Sequence, residues 1–241
     1  MSDSFQSLLL VQEHDTTADQ LRHRRRSLPE LVQLRGLEDR LSALEATAGE
    51  AKGETDEIAR RQGLLEHELA GLQARVDELK GRLYSGEVTV PRELQAMQAE
   101  LGLLTDRRSA VEDLVLEAME EAEASARRGE ELAAVRADLD AEGARLRAAI
   151  AEAQAGIDAD LVAIVEERRV GAATLPGDLA RLYEQLRAKL GGIGAAPLVA
   201  GRCGGCHLTL SASERDRIRH QPPDALLRCE HCGRVLVRPP G

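Results

Sequence analysis

The sequence has no tryptophan, one phenylalanine and two tyrosines in 241 residues. A thick core filled by large rings is thereby excluded, and burial falls to Leu, Ala, Val and Ile, the residues of narrow helix seams. Long apolar runs are missing too. The run Leu8-Leu9-Leu10-Val11 is too short for a membrane span or a signal h-region, and no basic segment precedes it. The expected location is cytoplasmic, with no membrane partner. Cysteine occurs only four times, all between residues 203 and 232. In a reducing compartment such a cluster favours a metal over disulfides. There is no P-loop, no G-x-G-x-x-G after a strand and no H-E-x-x-H, and the histidines lie away from any nucleophile motif. Neither an enzyme nor a small-molecule substrate is expected.

Charge is abundant. Asp, Glu, Lys and Arg make up 31 % of the chain, and with Ala and Leu they form the composition of long helices and coiled coils. The net charge of −10 is uneven: residues 197–241 hold seven arginines and four acids, or +3, which leaves −13 for residues 1–196. Four thiolates around one Zn²⁺ would add −2 and bring the C-terminal segment near +1, a balance that permits RNA contact without announcing it.

Steps of three and four run unbroken from Leu34 through Leu37, Leu41, Leu44, Ala48, Ala51, Thr55, Ile58, Gln62, Leu65, Leu69, Leu72, Val76, Leu79 and Leu83. Thirteen of these fifteen positions are apolar, against about six from composition, which predicts a coiled-coil heptad. Ser27-Leu28-Pro29-Glu30 offers a cap at its start, and Gly86 and Pro91 bracket a turn at its end. The periodicity restarts at Leu94 and Met97, runs to Ala122 and Ser125, and continues less regularly to Ile164. An antiparallel hairpin follows. If its tip centres on Glu87, Ala48, Ala51 and Thr55 face Ser125, Ala122 and Ala118, so small residues meet small ones and the backbones approach. The basic cluster Arg22-His23-Arg24-Arg25-Arg26 closes a separate upstream helix, where it either complements the helix dipole or contacts RNA or an acidic partner. Leu175-Pro176 opens a further helix, and Gly191-Gly192-Ile193-Gly194 reads as a flexible linker.

The predicted fold is mostly α: a long antiparallel coiled-coil hairpin plus a small C-terminal β zinc ribbon. Residues 1–190 form the helical domain, with arms at about 28–83 and 91–168 and a tip at 84–90; residues 191–196 form the linker and 197–241 the ribbon. Cys203-Gly204-Gly205-Cys206 and Cys229-Glu230-His231-Cys232 are two C-x-x-C pairs at the spacing of a tetrahedral structural zinc site, with Cys203, Cys206, Cys229 and Cys232 as ligands to one Zn²⁺. Four thiolates leave no open position for water or substrate, and an iron–sulfur cluster or redox thiols have compatible spacing. Ser211-Ala212-Ser213-Glu214 reads as a capping box opening a short helix.

The layout resembles the bacterial family of C4-type zinc-ribbon proteins with an N-terminal coiled-coil hairpin, long described as a domain of unknown function. The marks are Leu175-Pro176-Gly177-Asp178-Leu179 with Tyr183-Glu184, Gly201-Arg202-Cys203-Gly204-Gly205-Cys206, and Cys229-Glu230-His231-Cys232-Gly233-Arg234, behind a Tyr84-Ser85-Gly86 tip and Pro91. The resemblance implies an adaptor, some members binding an alternative sigma factor and roles in RNA binding having been proposed, and it carries over the four cysteines as zinc ligands. The expected function is a non-enzymatic zinc-binding adaptor for macromolecular partners through hairpin and ribbon, a protein first, of unspecified identity and with a transcription-related protein as one candidate. The alternative is nucleic-acid binding through ribbon arginines Arg202, Arg215, Arg217, Arg219, Arg228, Arg234 and Arg238. With the linker as the boundary, loss of zinc is expected to unfold the ribbon and leave the helices intact.

Overall fold

The computed structural model describes residues 2–239. Its elements are α1 (Ser2–Arg26), α2 (Pro29–Tyr84), α3 (Pro91–Ala173), α4 (Gly177–Lys189), β1 (Ala195–Val199), β2 (Arg202–Cys203), α5 (Ala212–His220), β3 (Leu227–Arg228) and β4 (Val235–Val237). The fold is the predicted one, a long helical hairpin followed by a small β region. Ser27 differs in role: its hydroxyl donates to the His23 carbonyl at 2.9 Å and closes α1, rather than capping α2. Pro29, with its fixed φ and no N–H, opens α2.

The chain divides into two compact units, residues 33–145 and residues 1–32 with 146–241. In the first, α2 and α3 run side by side from the Gly86 turn, where φ is +79°. The seam buries Leu37, Ala51, Val76 and Leu79 against Val111, Val115, Ala118 and Leu139, as the heptads require. Exposed ion pairs tie its flanks: Arg40–Glu142 (3.6 Å), Glu54–Arg128 (3.0 Å), Glu68–Arg107 (2.7 Å), Arg75–Glu100 (3.3 Å) and Arg61–Glu121. Each contributes about 0–1 kcal/mol at such exposure, so their part is to favour one alignment of the arms.

That alignment differs from the one read from matched small residues. Thr55 meets Ser125 at 2.6 Å, hydroxyl to hydroxyl, one heptad beyond the Ala118 expected opposite it. Thr55 is polar and lies in the seam; its hydroxyl bonds the Ala51 carbonyl of its own helix at 2.8 Å, and the observed alignment adds a polar partner from the other arm where Ala118 would offer none. Nor do the backbones close over the small residues: Leu44, Ala48, Ala51, Ser125, Gly129 and Leu132 line a groove of about 440 Å³. Replacing either hydroxyl alone, by Thr55→Val or Ser125→Val, is expected to lower stability by about 1 kcal/mol, and the double replacement to recover most of that loss. Urea unfolding of the four proteins in a double-mutant cycle measures this coupling.

The second unit is built differently. Leu8 and Val11 of α1, Leu175, Tyr183 and Leu186 around α4, and Ala195, Val235 and Val237 of the ribbon strands share one buried core. The strands form a sheet ordered β2-β1-β4-β3, in which β1 and β4 are parallel and the outer pairs antiparallel. The segment after α4 is not a free linker. The buried Gln12 amide donates to Gly192 O (3.0 Å) and accepts from Gly194 N (2.7 Å) and Ala195 N (3.3 Å), while β1 begins inside the span 191–196. Arg234 donates to Leu190 O and Ile193 O from the other side. The compact units therefore do not follow a boundary at 191–196, because side chains on α1 and β4 satisfy the backbone there.

Beneath α4 lies a buried polar cluster. Tyr183 donates its hydroxyl to Asp15 at 2.7 Å, and Asp15 also pairs with Arg168 and Arg187, each at 3.3 Å. Arg168 reaches on to Glu184, and Arg187 to Asp19 at 3.0 Å. Burial, then the bond to Asp15, pushes the Tyr183 phenol far above its ordinary range. At the end of α1, Arg25 pairs with Asp158 at 2.8 Å and Arg22 with Asp19 at 2.7 Å, so part of the basic cluster is tied to acids in the same unit.

Candidate metal centre

The four cysteines converge although two lie before α5 and two after it. Their sulfurs all lie within 4.8 Å of one another, with Cys203 Sγ–Cys232 Sγ at 3.8 Å and Cys206 Sγ–Cys229 Sγ at 3.9 Å. Sulfurs about 2.3 Å from a central Zn²⁺ stand about 3.8 Å apart along a tetrahedron's edges, so the donor set fits the ion. The cysteines are not joined as disulfides. Cys203 and Cys229 are buried and the other two half-buried.

Two turns of one design present the thiols. In the first, Cys203 N donates to Leu208 O (3.1 Å) and His207 N to Cys203 O (2.8 Å). In the second, Cys229 N donates to Arg234 O (3.0 Å) and Gly233 N to Cys229 O (2.8 Å). The arginine before each pair closes its turn: Arg202 Nη2 reaches His207 O at 3.0 Å, and Arg228 Nε reaches Gly233 O at 3.0 Å. The residue after each pair is left-handed, with φ +61° at His207 and +75° at Gly233. Gly233 adopts this freely, whereas a β-carbon there costs roughly 1–2 kcal/mol. Gly233→Ala is expected to cost about 1 kcal/mol, and His207→Gly to be neutral or to gain at most about 1 kcal/mol, since relief of strain opposes the flexibility of a new glycine. Thermal melting of the metal-loaded variants measures both. Gly205 answers to a different need, close packing: a β-carbon there would stand 2.5 Å from the Arg234 side chain.

Burial pushes the Cys203 thiol up, and burial with neighbouring Cys232 and Cys203 pushes Cys229 up to about 12. Burial also opposes the Cys232 thiolate, but hydrogen bonds from the Arg234 backbone and side chain, together with the adjacent thiols, bring it down to about 7. A bound dication favours the thiolate form of its cysteine ligands, so loading the site releases protons.

Residues 11–191 match the family model of the CT398-like coiled coil hairpin domain. The chain belongs to this family. Residues 202–236 match the C4-type zinc ribbon domain as well. An uncharacterized protein of Mycobacterium tuberculosis is 31 % identical over 243 residues, covering 96 % of this chain and 94 % of the relative. A solved Mycobacterium smegmatis structure aligns with TM-score 0.73 and 26 % identity over 99 % of both chains. CT398 of Chlamydia trachomatis aligns with TM-score 0.71 over 98 % of both chains, and HP0958 of Helicobacter pylori with 0.53 over 98 % of this chain and 97 % of that one. At 19 % and 16 % identity these last two share the fold.

The structure gives six of the seven ribbon arginines partners within the chain. Arg202, Arg228, Arg234 and Arg238 donate to backbone carbonyls, Arg238 reaching Ile218 O (2.6 Å) and Pro222 O (2.7 Å) at the end of α5. Arg217 pairs with Glu230 at 2.8 Å and Arg219 with Asp216 at 3.7 Å, while Arg215 lies over Gly201. Leu208, Thr209 and Leu210 add a single bridge to the sheet, Arg202 to Thr209. His207 and His231 are exposed. Missed from sequence were the turn-closing arginines, although the repeated Arg-Cys-x-x-Cys carries their signal.

Proposed function

We propose that this protein is a non-enzymatic, cytosolic adaptor that binds a protein partner, with one structural zinc ion held by Cys203, Cys206, Cys229 and Cys232. The observation that carries the protein reading is the commitment of the ribbon arginines. Guanidinium groups spent on carbonyls and acids of the ribbon and of the segment leading into it have fewer N–H groups left for phosphates, and no aromatic residue lies in the ribbon to stack bases. A sulfur-only site leaves zinc no position for water, which supports a structural ion rather than a catalytic one. The hairpin supplies the larger binding surface, two exposed helix faces held in register by the seam.

The test is purification of the tagged full chain from its own cytosol, with and without nuclease, alongside a metal count. The expected result is about one zinc per chain and protein partners that survive nuclease. Partners lost with nuclease, or binding to nucleic acid that falls steeply with salt, would favour the ribbon as a nucleic-acid module instead.

A further inference from the structure

The two metal-binding turns match in every backbone bond described above, and they differ in how the residue after the first cysteine is held. In the first turn Gly204 N donates to a strand carbonyl, Pro197 O, at 2.9 Å. At the equivalent position of the second turn, Glu230 N donates to a side chain, Glu214 Oε1, at 3.1 Å. Sequence spacing assigns Glu214 to a capping box, whose glutamate turns back to its own helix start. Half of that box forms: Ser211 Oγ accepts from Glu214 N at 3.1 Å. The carboxylate is instead sent across to the cysteine turn. Glu214 is 2 % exposed, on a helix that otherwise buries only Ile218. Its second oxygen is buried without a hydrogen-bond partner among the described residues. Burying a carboxylate this way is costly unless its bond does something no water-exposed glutamate could do.

We infer that Glu214 is a positioning residue of the metal centre, acting through the Glu230 peptide to hold Cys229 and Cys232 at the spacing zinc requires. The second turn has no strand carbonyl where Pro197 serves the first, and Glu214 supplies the missing acceptor. α5 is thereby joined to the site: the helix between the two cysteine pairs carries the acceptor that shapes the second pair. Groups that hold a metal's ligands from outside typically alter affinity about 10–100-fold when removed.

This inference rests on the zinc reading, and the test separates the two. The full chain and the variants Glu214→Ala, Glu214→Gln and Ser211→Ala are loaded with one equivalent of zinc. Transfer to a chromogenic chelator is measured, and a parallel set is loaded with Co²⁺ to record its d–d absorption. Glu214→Ala is expected to favour transfer by about tenfold or more and to shift the Co²⁺ bands, while Glu214→Gln, whose amide oxygen still accepts, stays within about threefold of the parent. Ser211→Ala removes the α5 cap but leaves the carboxylate, and is expected to keep the parent's transfer and spectrum. Transfer from Glu214→Ala within about twofold of the parent, or equal loss in Ser211→Ala, would overturn the inference, the latter because general loosening of α5 would then suffice. A parent chain with no tetrahedral thiolate spectrum for Co²⁺ would overturn the zinc reading and this inference together.

Discussion

Cys203→Ser is expected to release the metal and to unseat α1 and α4 along with the ribbon. A structural zinc contributes about 10–16 kcal/mol of binding free energy in small metal-folded domains, far more than strands of two to five residues gain alone. Those strands are not self-contained. Ala195, Val235 and Val237 face Leu8, Val11, Tyr183 and Leu186 in a common core, so collapse of the sheet removes one wall of it. The hairpin residues 33–145 have their own seam and should remain helical. Hydrogen exchange read by mass spectrometry tests this: amides of α1 and α4 should lose protection together with the ribbon, in the variant and after chelation of the parent. Retained protection in α1 would mean that the ribbon melts alone, as the boundary at 191–196 would have it.

Asp15→Ala carries the second large expected effect. Asp15 is 6 % exposed and accepts from Tyr183 while pairing with Arg168 and Arg187. Removing it leaves a buried phenol without its acceptor and two guanidinium groups without their shared carboxylate. Breaking a buried pair from one side costs about 3–5 kcal/mol, and since both arginines are about a quarter exposed the loss should be near the lower figure. Asp15→Asn, which keeps an acceptor for Tyr183, should lose less. Denaturant unfolding of both variants measures the difference, and equal losses would show that shape, not charge, decides at this position.

The heptads, the two turn-flanked arms and the four cysteines were legible because each follows a local rule: period, breaker or ligand spacing. The alignment of the arms was not. Small residues recur along both arms, so more than one alignment matches small with small, and the choice falls to pairs such as Thr55 with Ser125 and Glu54 with Arg128. Gln12 and Asp15 were equally invisible. On α1 they read as two polar residues among many, and only contact with Gly194 and Tyr183, far along the chain, gives them a role. Glu214 was read correctly as to helix and wrongly as to target, since spacing reports that a glutamate can turn back but not that a better donor waits across the fold.

The contact between Gln6 and Arg238 joins residues 232 apart, near the two ends of the chain. During synthesis at about 5–20 residues per second, α1 precedes β4, a strand it packs on, by on the order of 10–50 s. Until Leu175, Tyr183 and Leu186 are made, Leu8 and Val11 lack the partners of their core, and the helix is short of the packing that makes it stable. The hairpin can zip as soon as its own residues are made, whereas the core around α1 is complete only once Val235 and Val237 have joined it.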